Sequence, residues 1–202
     1  MTGLLNGDFK DGKAHWATWV KRGHPLDRAV MNDYALGAGS FEFETHHETY
    51  EAGILQGISG GPLSKFTLSA YFRFQLSDPK ENPDLTGVRA WVGIDPAGGT
   101  DPNSSGLIIR SGDVGRFAYQ SLQVIAESVQ GNITVFCGME AGVNNQWPIA
   151  NLYALIANVT LEIVGGVQPP APPEAIVSSI TLGGVTDEGT FWRLVIDVPK
   201  SK

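Results

Sequence analysis

The chain has 202 residues, 42% of them apolar and 17% charged, with a formal net charge of −7 and only 14 lysines and arginines. That is enough apolar material for a core, which excludes wholesale disorder. The lack of any basic run excludes a phosphate-binding nucleic-acid surface, and no apolar run reaches the roughly 18 residues of a membrane helix. The 25 glycines and 12 prolines suit many short strands joined by tight turns.

The segment Met1 to Asp8 holds no basic stretch followed by an apolar one, so no secretory signal is read in this chain. Strands are expected at 4–9, 40–46, 50–58, 66–76, 88–94, 106–110, 119–128, 132–138 and 153–164, and no amphipathic helix or internal repeat is visible. Turn signals separate them: Gly60-Gly61-Pro62, Asp78-Pro79 with Asn82-Pro83, Asp95-Pro96, and Gly131-Asn132. Residues 66–76 alternate without a miss: Phe66, Leu68, Ala70, Phe72, Phe74 and Leu76 on one face, Thr67, Ser69, Tyr71, Arg73 and Gln75 on the other. Residues 88–94 repeat the pattern, with Val88, Ala90, Val92 and Ile94 inward and Arg89 and Trp91 outward. If these two strands pair in one sheet, Tyr71, Arg73, Arg89 and Trp91 share an exposed surface. Such a face fits a ligand; it fits equally a face covered by a loop or a subunit.

Cys137 falls inside a strand, where a thiol behaves as a small hydrophobe. One cysteine makes no internal disulfide, so both redox compartments stay open. Residues 165–174 form a Pro-rich linker, extended and semi-rigid. Beyond it, 175–182 and 190–198 read as a β-hairpin arm bearing Ile176, Ile180, Leu182, Phe191, Trp192, Leu194 and Ile196. A two-stranded hairpin is marginal in water, so this arm must bury its apolar face against its own sandwich, a second copy or a partner.

Sugar rings stack their C–H faces on aromatic planes, and their hydroxyls take planar or paired polar groups. Trp91, Tyr71, Arg73, Arg89 and Gln75 supply both kinds, as does Trp147 with Asn144, Asn145 and Gln146, since amides bond hydroxyls in pairs. Of Trp16 and Trp19, one is expected to plug the end of the sandwich, and Trp19 is the one assigned to the core. His46 and His47 are adjacent, so a strand sends them to opposite faces and they do not chelate one metal simply. Asp95, Asp101 and Asp113 surround Gly- and Pro-rich turns, where aspartate ordinarily bonds the local backbone. No carboxylate pair, nucleophile elbow, phosphate loop or HExxH motif is identified, so catalysis is not expected.

Taken in order, Leu4-Leu-Asn-Gly-Asp-Phe9, the Trp16/Trp19 stretch, Tyr50-Glu-Ala-Gly-Ile-Leu-Gln56, Leu68-Ser-Ala-Tyr-Phe72, Val92-Gly-Ile-Asp-Pro-Ala-Gly-Gly-Thr-Asp-Pro102 and Gly131-Asn-Ile-Thr-Val-Phe136 resemble carbohydrate-binding modules of the family four/nine type over residues 4–164. The resemblance implies a galactose-binding-domain-like jelly roll that binds glycan chains without catalysis. It also implies a structural calcium near Asp8. Where that family carries Trp-Asp-Asp in its last core strand, this chain has Ile156-Ala157-Asn158, which removes two carboxylates from a calcium cage that needs about six to eight oxygens.

The expectation is an all-β chain: a jelly-roll domain at 1–164, a linker at 165–174 and an arm at 175–202. Its first functional reading is recognition of a glycan or cell-surface polysaccharide by Tyr71, Arg73, Gln75, Arg89, Trp91, Asn145 and Trp147, with no cofactor beyond the calcium the resemblance implies. The alternative is a structural subunit of a larger assembly (a virion decoration, capsid or tail protein, or a surface filament) that forms homo-oligomers through residues 175–198. Either role favours an extracellular or virion surface.

Overall fold

In the computed structural model, the described residues are 3–33, 38–46, 48–61, 64–77, 88–114, 118–128, 130–141, 151–166, 176–185 and 191–200. They divide into two compact units, at Met1–Gly166 and Val167–Lys202. His47, Asn144 to Trp147, the linker from residue 167 onward and the turn at Asp78 to Pro83 lie outside the described residues.

Among the described residues the first unit holds ten strands: β1 Ala17–Arg22, β2 Leu26–Asp33, β3 Ala38–Thr45, β4 Tyr50–Ser59, β5 Ser64–Leu76, β6 Val88–Asp95, β7 Ile108–Asp113, β8 Gln120–Ser128, β9 Asn132–Ala141 and β10 Leu152–Gly166. They form two five-stranded antiparallel sheets, β1-β4-β9-β6-β7 and β2-β3-β10-β5-β8, which pack as a sandwich. The second unit is the hairpin of β11 Ile176–Val185 and β12 Phe191–Lys200, paired from Ile176 with Lys200 to Val185 with Phe191. Among the described residues no helix is long and apolar enough to cross a membrane.

The alternation at 66–76 is realised along β5. Phe66, Leu68, Ala70, Phe72, Phe74 and Leu76 all enter the core, where they meet Phe41 and Phe43 of β3, Ile54 of β4, Val92 and Ile94 of β6 and Val135 and Met139 of β9. Cys137 is buried there too, and burial pushes its thiol pKa up.

Three strand expectations are corrected. Residues 4–9 form turns, not a strand: Phe9 N donates to Asn6 O at 3.2 Å, and Asn6 and Phe9 have φ of 51° and 52°. The segment is a wedge between β3 and β10. Gly39 N donates to Asp8 O and Val159 N to Gly7 O, both at 2.9 Å, where β10 bulges beside Asn158 (φ 46°). Phe9 plugs the core between Trp16 and Phe41, with ring centroids at 5.8 and 5.9 Å. The other two corrections are β1 and β2, edge strands absent from the expected set. In β1, Trp19 is the one buried residue, so there is no alternation to read.

Trp16, not Trp19, joins the main core, and its Nε1 donates to Asn6 O at 3.0 Å. Trp19 packs on the outer face of the other sheet with Trp91 and Phe136.

Candidate functional site

The strands carrying the expected ligand face do not share a sheet. β5 lies in β2-β3-β10-β5-β8 and β6 in β1-β4-β9-β6-β7. Tyr71, Arg73 and Gln75 therefore face outward on one side of the sandwich, and Arg89 and Trp91 outward on the other. The expectation of one shared surface fails because alternation gives the phase of each strand, not which strand it neighbours.

On the β5 side, the register assembles a polar and aromatic array across five strands. Leu26, Glu44, Tyr153 and Gln75 form one cross-strand row, and Arg28, Glu42, Leu155 and Arg73 the next. Ser40, Ala157, Tyr71 and Ser121 form a third. Between its longer neighbours, the middle of the face carries short or apolar side chains: Ser40, Ala157 and Leu155 are buried. The Ser40 hydroxyl is buried without a hydrogen-bond partner.

Both guanidinium groups of this face are set over tyrosine rings. Arg28 stands 5.8 Å from the Tyr153 centroid, and its Nε donates to Glu42 Oε1 at 2.6 Å while Nη1 lies 3.8 Å from Glu44 Oε2. Arg73 stands 4.9 Å from the ring of Tyr119, just before β8. Such stacking holds each guanidinium plane over an aromatic face. Glu42 is 3% exposed. Burial raises its carboxyl pKa above the ordinary value and outweighs the opposing pull of Arg28. Gln123 Nε2 donates to Ser69 Oγ at 3.1 Å and Asn151 Nδ2 to Glu44 Oε1 at 3.1 Å, extending the polar surface at both ends.

Sequence reading missed Arg28, Glu42, Tyr119 and Tyr153. Arg28 sits in an unread edge strand. Glu42, though inside an expected strand, reaches this face only through the pairing of β3 with β10.

Trp91 faces away from the core, as expected, but it is not an exposed platform. It is 8% exposed, 5.3 Å from Trp19 and 6.4 Å from Phe136 between ring centroids. Two glycines paired across β4 and β9 make the seat. A Cβ at Gly53 would stand 2.4 Å from Trp19 Cζ2, and one at Gly138 would stand 2.4 Å from Trp91 Cε2. Asn145 and Trp147 lie outside the described residues.

The donors near Asp8 do not fit calcium. The Asp8 carboxylate pairs with Lys10 Nζ at 2.6 Å, and that hydrogen bond holds its pKa below the usual value. Its carbonyl is taken by Gly39. Among the described residues no group of three or more His, Cys, Asp or Glu is placed to hold a metal. Asp95 and Asp101 bond the backbone as expected: Oδ1 of each accepts a hydrogen bond at 2.8 Å from the N–H two residues on. Among the described residues Asp113 does not: it ends β7 as a strand residue, with its carboxylate 3.8 Å from Arg89 Nε.

No protein-family model and no curated protein matches the chain. Solved structures do. A family 61 carbohydrate-binding module in complex with beta-1,4-galactotriose superposes with a TM-score of 0.55 at 14% identity, over 80% of this chain and 98% of its own. The enzymatically active domain of tailspike protein 4 of bacteriophage CBA120 gives 0.54 at 12% identity, over 81% of this chain and 21% of that one. The N-terminal tandem of family 22 modules from Paenibacillus barcinonensis gives 0.50 at 14%, over 78% and 49%. The first unit thus has the jelly-roll fold of carbohydrate-binding modules.

Proposed function

We propose that the first unit is a non-catalytic module that binds a glycan chain, such as a cell-surface polysaccharide, along the outer face of β2-β3-β10-β5-β8. The observation that carries this reading is the array itself. Tyr71 and Tyr153 on the sheet and Tyr119 just before β8 supply rings, Arg28 and Arg73 supply guanidinium groups held over two of those rings, and Gln75 adds an amide. Asn145 and Trp147 are assigned to the same ligand on their chemistry alone.

A glycan array is the test, with wild type, Tyr71→Ala, Arg73→Ala and Trp147→Ala. Removing any one of these stacking or bidentate groups is expected to weaken binding about tenfold. Wild-type protein that binds no glycan, or variants that bind as wild type does, would refute the reading.

A second reading has its own support. The separate compact unit at Val167–Lys202 and the fold likeness to part of a phage tailspike chain fit a structural subunit whose hairpin mediates homo-oligomer contacts. Deleting 167–202 and measuring mass in solution decides it: an unchanged oligomeric state removes this role.

A further inference from the structure

The outer face of the opposite sheet carries a cleft of about 210 Å³. Its floor is the Trp91 indole beside Ser111, and its charged lining is Lys21, Glu51, Arg89 and Glu140. We propose that this cleft is a second sugar site, taking a single neutral saccharide unit and independent of the array on the other sheet. It shares with the proposed function only the class of ligand.

The charge arrangement is built, and at a cost. Glu51 and Glu140 are direct cross-strand partners on one face, and like charges so placed destabilise a sheet. A bulge in β1 offsets this: the register shifts between Val20 and Arg22, so Lys21 is an extra residue and two successive cations address the carboxylate pair. Lys21 Nζ sits 3.0 Å from Glu51 Oε1 and Arg22 Nη2 sits 3.1 Å from Glu140 Oε1. Bulges that re-aim side chains are concentrated beside functional sites.

Arg89 is opposite Glu140 in register, yet it does not close onto that carboxylate. Its Nη2 donates to Ser111 Oγ at 3.3 Å, and its Nε stands 3.8 Å from Asp113, which is 90% exposed. A guanidinium has five N–H donors, so most of those of Arg89 remain for a ligand.

The ligand class follows from charge and size. The four charged side chains lining the cleft are two cations and two anions. An anionic ligand would meet both carboxylates and a cationic one both bases, whereas a neutral polyol can use all four groups as hydrogen-bond partners. The volume lies below the about 300–1,000 Å³ of drug-sized pockets, which suits one ring rather than a chain. Ile109, which is half exposed, gives that ring an apolar surface together with Pro102 and the accessible edge of Trp91.

The test uses the full chain, ¹⁵N-labelled, titrated with glucose, galactose and mannose, and with galacturonate and glucosamine as charged controls. A neutral hexose is expected to shift the Trp91 indole and Gly138 amide signals saturably, with a Kd in about the millimolar range. Tyr71→Ala should leave these shifts intact. Arg89→Ala, at an exposed residue, and the isosteric Glu140→Gln should each weaken them at least tenfold. No saturable shift with any of the neutral hexoses overturns the proposal. So do shifts that survive in both variants, and so does tighter binding of galacturonate or glucosamine. Hexose shifts at Trp91 alongside a blank glycan array would sink the array reading and keep this one; the reverse result would do the opposite.

Discussion

Gly138→Ala tests whether the Trp91 indole lies flat on the sheet. The added Cβ would stand 2.4 Å from Cε2, 2.6 Å from Nε1 and 2.7 Å from Cζ2 of that ring. The ring cannot slide freely, because Trp19 and Phe136 pack against it. Overpacking of this kind costs about 1–3 kcal/mol. Alanine regains about 0.5–1 kcal/mol, because glycine gives up more chain freedom on folding. Mid-range values leave a net loss of about 1.25 kcal/mol, and at about 2–4 °C per kcal/mol for a domain of this size the melting temperature should fall by about 2.5–5 °C. Thermal unfolding followed by near-ultraviolet circular dichroism reads both the shift and the altered indole environment. The same substitution on a Trp91→Leu background should cost at least about 1 kcal/mol less, since the clash is gone. A melting temperature unchanged or raised by Gly138→Ala, or an equal cost in both backgrounds, would refute the packing argument and remove the floor from the cleft.

Gly7→Ala should be harsher. Its Cβ would fall 2.0 Å from the Val159 carbonyl oxygen, a backbone atom within the bulge of β10. A loss of about 3 kcal/mol is expected by urea unfolding, and a cost below that of Gly138→Ala would contradict it. Glu42 gives a pH signature. Its folded pKa is raised above the ordinary 4.5, so the folded state holds the proton more tightly than the unfolded chain, and its contribution to stability falls as pH rises through that window. The melting temperature of Glu42→Gln should therefore gain on wild type as pH increases from about 4.5, and a difference independent of pH would count against burial as the cause. The Cys137 thiol, buried and with its pKa pushed up, should react with a disulfide reagent only on unfolding; labelling of the native protein at the rate of a free thiol would show the strand to be open.

The core was the legible part of this chain. Period-two alternation at 66–76 and 88–94 names the inward residues of β5 and β6 from sequence, because a strand with one face on a core must bury every second side chain. Edge strands lack that constraint. In β1, Val20 is 53% exposed and Trp19 packs outside the main core, so no alternating signal reaches the sequence. The candidate surface was half legible for a related reason. The outward phase of Tyr71, Arg73 and Gln75 is local, whereas Arg28, Glu42 and Tyr153 join them through pairings among β2, β3, β10 and β5, and sequence periodicity says nothing of such pairings.

The two tryptophans of the outer sheet show how one residue type can mislead. An outward Trp on a strand reads as a ligand platform, since a solvated face gains little from an indole. Here the reason for the indoles lies on the neighbouring strands. Gly53 and Gly138 stand side by side between β1 and β6, and two bare positions leave the sheet backbone open to water. Trp19 and Trp91 cover them from either side, in the way aromatic residues rescue cross-strand glycines. That packing fixes Trp91 without any ligand. It also explains why the ring can serve as the floor of a cleft. A side chain clamped by a glycine seat, Trp19 and Phe136 loses little further freedom when a ligand meets it, so the contact carries a small entropic cost. The packing role of Trp91 and its proposed place in the cleft are therefore not alternatives, and the same substitution at Gly138 should disturb both.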